Sequence, residues 1–128
     1  MQVRDAVEAD AEELAAQTGA PRDVMRNLVH DRTVRVAITD DSVRGFVSFD
    51  ARHDTVHITQ LEGEDGIYEQ LLEEPIRFAK KERMAVELLV AESNEETKEA
   101  AENVGFEQKG YGPSFEGTRT VKYRLEHE

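Results

Sequence analysis

The spacing of hydrophobic positions changes several times along the chain, and each change marks a new element. Gln2 to Ala6 predicts a short strand. Asp10 with Glu13 three residues later forms a capping-box pattern that starts a helix, with Ala11, Leu14, Ala15 and Thr18 on one face and Gly19 as its stop. Pro21 suits the first turn of a second helix, in which Val24, Met25, Leu28 and Val29 recur at helical spacing up to His30. Thr33 to Thr39, Val43 to Asp50 and Thr55 to Leu61 are β-rich runs separated by polar turns, the first of them Asp40-Asp41-Ser42. They predict an antiparallel meander. Strict alternation in the third run points Val56, Ile58 and Gln60 to one face and His57, Thr59 and Leu61 to the other.

From Gly66 onward Ile67, Leu71, Pro75, Phe78 and Ala79 fall at helical intervals. Pro75 deletes one backbone hydrogen bond inside that helix and predicts a kink near Leu71. Ala85 to Ala91 predicts a buried strand, Asn94 caps a helix reaching about Asn103, and Gly105 stops it. Phe106 to Lys109 and Thr120 to Leu125 are the last strands, joined by a glycine-rich loop. A strand-helix-strand unit needs parallel neighbours, whereas the meander and terminal hairpin need antiparallel ones. The predicted fold class is α/β (α+β): a mixed, mostly antiparallel sheet of about seven strands flanked by about four helices, in one domain over residues 1–128.

Composition narrows the function classes. A chain of 128 residues suits one core, and no run approaches the roughly 20 apolar residues of a membrane span. No apolar segment follows the N-terminus, so the expectation is a cytoplasmic protein with no membrane partner. Cysteine is absent, which removes disulfides, thiolate nucleophiles and cysteine-based zinc sites. His53 and His57 lack a third ligand at convincing spacing, so no metal is predicted. A net charge of -12 with scattered cations argues against nucleic acid. Acidic residues occur in every segment, as in halophilic proteins where concentrated salt screens self-repulsion; an ordinary acidic protein is the alternative.

The element order, with the residues at its joints, resembles the GNAT superfamily of acyl-CoA-dependent N-acyltransferases over nearly the whole chain. Val3-Arg4-Asp5-Ala6 followed by Asp10 looks like the family's opening, and Val43-Arg44-Gly45-Phe46-Val47 looks like its third strand. Asn94 with Gly105-Phe106 has the family's asparagine to glycine-phenylalanine spacing. The resemblance implies acetyl-CoA as co-substrate and transfer of its acyl group to an amine of a small molecule or peptide. It also implies that the turn from Glu64 through Asp65, Gly66 and Ile67 to Tyr68 holds the coenzyme A phosphates, since a helix start offers unpaired N–H groups and the positive end of the helix dipole. Gly63 stands where the family has Arg or Gln, Tyr68 where it has a second glycine, and Glu62, Glu64 and Asp65 add negative charge.

By the same resemblance Ile58, with Gln60 beyond it, lies where the central strands diverge and main-chain groups hold the thioester arm. Asn94 caps a helix and by resemblance lies near coenzyme A. Glu62 and His57 are the candidate bases, each with a plain alternative as loop charge or strand scaffold. The family's acid, commonly tyrosine, falls on Ala101, which cannot donate; Tyr68 and Tyr111 are possible substitutes. These departures support a second reading, a catalytically degenerate GNAT-fold binding or regulatory module. A homodimer through the last two strands is compatible with either.

Overall fold

The computed structural model describes residues 1–64, 66–114 and 117–127. Strand β1 (Gln2–Asp5) leads through a 3₁₀ turn (Glu8–Asp10) to helices α1 (Ala11–Thr18) and α2 (Arg22–Asp31). Strands β2 (Thr33–Thr39), β3 (Ser42–Arg52) and β4 (Thr55–Gly63) follow, then α3 (Tyr68–Glu82), β5 (Ala85–Ala91), α4 (Glu95–Asn103), β6 (Glu107–Tyr111) and β7 (Thr120–Leu125). The order is the predicted one. The seven strands form one sheet in the order β1-β2-β3-β4-β5-β7-β6, antiparallel throughout except where β4 runs parallel to β5. That parallel pair is the strand-helix-strand unit crossed by α3.

Each face of the sheet has its own core. Val47, Phe49, Val56, Ile58, Val86 and Leu88 meet α3 and α4, whereas Val34, Val36 and Phe46 meet Ala11, Leu14 and Met25 of α1 and α2. Both tight turns of the meander place two residues in the left-handed region, Asp40-Asp41 and His53-Asp54. This matches the right-handed strand twist, although Asn or Gly serves there more cheaply. α3 continues for 15 residues through Pro75, which is fully buried.

The capping box at Asp10 and Glu13 is absent. Asp10 instead accepts from the Val7 N–H (2.8 Å) and from both terminal nitrogens of Arg4 (2.9 and 3.0 Å), tying the 3₁₀ turn to β1. The Arg4 hydrogen bond holds the Asp10 carboxyl below its ordinary pKa despite its burial. Glu13 reaches away to accept from the Val43 N–H (3.0 Å). Two acids that look like one local motif therefore act apart, Asp10 on the preceding strand and turn and Glu13 on β3.

Candidate active site

The site begins with a break in β4. Ser48 pairs with Gln60 and Phe49 with Ile58, so β4 carries one extra residue at Thr59. Such a bulge resets side-chain alternation. Gln60 therefore lies opposite Ser48, away from Ile58, and Leu61 lies opposite Val47 and packs on the α3 side. The alternation read from sequence is right up to Thr59 and inverted for Gln60 and Leu61. Ser48, fully buried, shares a 2.6 Å hydrogen bond with the Thr59 hydroxyl and pins the bulge.

Beyond the bulge the sheet opens. Pairing between β4 and β5 runs from Thr55↔Ala85 to Ile58↔Leu88 and stops there, while β4 continues to Gly63 and β5 to Ala91. A gap in mid-sheet leaves main-chain N–H and C=O groups without a ladder partner on that side, and such groups attract an extended, amide-bearing ligand.

The gap leads at one end to the start of α3. Gly45 and Gly63 pair across β3 and β4, and Ile67 sits over both: a Cβ on Gly45 would stand 2.7 Å from Ile67 Cδ1, and one on Gly63 2.8 Å from it. Gly63, where the resemblance expects Arg or Gln, is thus a packing notch. Tyr68 turns its hydroxyl back to donate to the Gly63 carbonyl (3.2 Å). Gly66 has φ +89° with nothing within 4 Å of where a Cβ would be. The first helical bond runs from Leu71 N to Ile67 O, so the N–H groups of Glu69 and Gln70 precede it. Glu69, Glu96 and Glu99 line a hollow of about 160 Å³ beside Gly66 and Tyr68. Asp65 lies outside the described residues, as does Phe115 of the later loop.

On the face away from α3 the gap opens into a hollow of about 720 Å³ walled by His57, Thr59, Glu87, Leu89, Tyr111 and Lys122. His57 Nδ1 stands 3.8 Å from Glu87 Oε1, and Glu87 Oε2 accepts from Arg124 Nη1 at 2.5 Å. Glu62 is elsewhere, exposed in a separate hollow with Gln17, Arg44 and Glu64. The two candidate bases are therefore not neighbours. Asn94 caps α4, accepting from the Thr97 N–H at 3.2 Å. Ala101 is fully buried in the core.

Sequence reasoning missed Glu87 and Arg124, because only cross-strand register brings them to His57. It also missed Tyr123, fully buried, whose hydroxyl donates to Glu102 at 2.7 Å. Burial first, and then that carboxylate, push the Tyr123 pKa up to about 12. Among the described residues no group of three His, Asp or Glu side chains could hold a metal ion, and no helix is long and apolar enough to cross a membrane.

No protein-family model matches the sequence, and no curated protein matches it. Solved structures do match the fold. A ribosomal-protein-alanine N-acetyltransferase from Brucella melitensis superposes with TM-score 0.85 at 17% identity, covering 98% of this chain and 99% of that one. yncA from Salmonella typhimurium, solved with its cofactor acetyl-CoA, superposes with TM-score 0.87 at 15% identity over 100% and 94%. A GNAT-family protein from Desulfovibrio desulfuricans gives TM-score 0.77 at 19% identity over 98% of each chain. The chain has the GNAT fold.

Proposed function

We propose that this GNAT-fold protein is an N-acetyltransferase that moves an acetyl group from acetyl-CoA to an amine. The gap between β4 and β5 carries the reading. It joins an anion-compatible helix start on one side to a hollow containing a His–Glu pair on the other, and the similar Salmonella structure carries acetyl-CoA. The residues present fit that co-substrate: open space at Gly66 admits a phosphate to helix N–H groups, and the main chain at and beyond Ile58 offers partners to an extended arm. Asn94, at the start of the neighbouring helix α4, is assigned to the same cofactor.

Acetyl-CoA supplies an acyl carbon activated as a thioester, with a thiolate as leaving group. His57 takes the proton as the amine nitrogen bonds to that carbon, the C–S bond breaks and its electron pair leaves on sulfur. Glu87 orients the imidazole from 3.8 Å and is itself fixed by Arg124. His57 is preferred to Glu62 as base because it shares a hollow with the gap. Thiolate leaves readily, so an alanine at position 101 slows the reaction without forbidding it. The acidic surface and net charge of -12 suit work in a concentrated-salt cytoplasm.

A second reading, a binding module without turnover, is favoured by Glu69, Glu96 and Glu99 at the phosphate turn. Calorimetric titration with acetyl-CoA in molar potassium chloride separates the two. Micromolar binding that disappears in Gly66→Pro supports the transferase; no heat at millimolar ligand removes it.

A further inference from the structure

The charges facing the hollow around His57 are committed unequally. Glu87 is engaged by His57 and Arg124, and Arg124 also by Glu126 at 2.5 Å. The ammonium of Lys122, opposite Leu89 on β5 and on a partly buried residue, makes no hydrogen bond or ion pair among the described residues. An ammonium that has lost part of its water and gained no partner is complementary to an anion.

Lys122 is also placed to act together with His57. Two inter-strand spacings of about 4.8 Å and two residues of strand rise at about 3.4 Å put their Cα atoms about 12 Å apart, with the mouth of the gap between them. Between them lies Leu89 of β5, apolar and 43% exposed, and Tyr111 of β6, 61% exposed, borders the hollow on the far side of Lys122. Gly112 fixes the Leu89 side of that hollow, since a Cβ there would stand 2.6 Å from Leu89 Cδ2.

We infer that the acceptor is an amine that also carries an anionic group and an apolar portion, such as an apolar α-amino acid, with its anion held by Lys122 and its nitrogen at His57. The reaction rests on the transferase reading; the binding does not. Anion recognition by a single lysine overrides attraction of cations by the acidic surface, because that longer-range field is screened within about a Debye length.

The test is an NMR titration of the full chain with phenylalanine, phenylalaninamide and the matching aminophosphonate, against wild type, Lys122→Glu and Lys122→Arg. Wild type binds the acid about 10-fold more tightly than the amide, the size of one charge-assisted hydrogen bond. Lys122→Arg keeps the preference and Lys122→Glu reverses it, with unchanged circular dichroism. Stronger binding of the aminophosphonate than of the carboxylate assigns a phosphorylated acceptor to the same lysine. Equal binding of acid and amide by wild type, or a preference that survives Lys122→Glu, overturns the inference. Thiol release from acetyl-CoA is read in parallel. Lys122-dependent binding without thiol release sinks the transferase reading alone, and thiol release indifferent to the carboxylate sinks this inference alone.

Discussion

Gly45 and Gly63 face one another across β3 and β4, and Ile67 fills the space their absent side chains leave. The glycine turn into α3 is therefore seated on the sheet by a side chain that precedes the helix by one residue. Gly45→Ala brings a Cβ to 2.6 Å from the Glu62 carbonyl oxygen and 2.8 Å from Gly63 Cα, both main chain. It is expected to destabilise by about 2–3 kcal/mol. Gly63→Ala meets the flexible end of Ile67 and is expected to cost about 1 kcal/mol. Urea unfolding measures both, and a reversed order contradicts the packing described.

Tyr123 gives a prediction at alkaline pH. Its pKa is about 12 in the fold against 10.0 unperturbed, so the folded state holds its proton more tightly than the unfolded state. The resulting stability is fully present below pH 10 and is lost as pH rises toward 12. Tyr123→Phe removes this loss. Its ultraviolet difference spectrum against wild type gains the phenolate band of Tyr123 only near the upper value.

Asp10 acts in the opposite direction. Its pKa is lowered from 3.8, chiefly by the Arg4 hydrogen bond, so its stabilisation is present above 3.8 and lost as pH falls through the lower folded value. Asp10→Asn is expected to flatten the acid limb of the stability profile and to cost about 2 kcal/mol at neutral pH, as a charge-assisted bidentate contact is lost. Thermal melts from neutral pH into acid read both effects.

For the chemistry, His57→Asn is expected to lower kcat about 10²-fold while leaving the acetyl-CoA dissociation constant unchanged. Glu62→Gln, in its separate hollow, is expected to change kcat less than 3-fold, within the scatter of a surface charge removed at a distance. An inactive Glu62→Gln with an active His57→Asn exchanges the two assignments.

The sequence shows the order and nearly every boundary of the elements, because each depends on local period and on punctuation such as Gly19 and Asn94. Contacts between elements were not legible there. The bulge at Thr59 inverts Gln60 and Leu61 because Ser48 of the neighbouring strand holds it, and nothing local distinguishes Thr59 from an ordinary strand residue. Asp10 has the spacing of a cap but is drawn to Arg4. Glu87 and Arg124 reach His57 only through the registers of two strand pairs. The glycine turn was found from sequence, whereas the reason for Gly63 appears only with Gly45 opposite it.

The β4–β5 ladder carries four register pairs, although β5 is seven residues long and β4 nine. Strands β1–β4 and β5–β7 are thus two plates fastened along a short seam, with α3 as the strap between them. A molecule lodged in the opening would rivet the plates together. Amide exchange at Leu89–Ala91 would slow and the melting temperature rise by more than its contacts with either plate alone would give, making the protein's own rigidity a readout of occupancy.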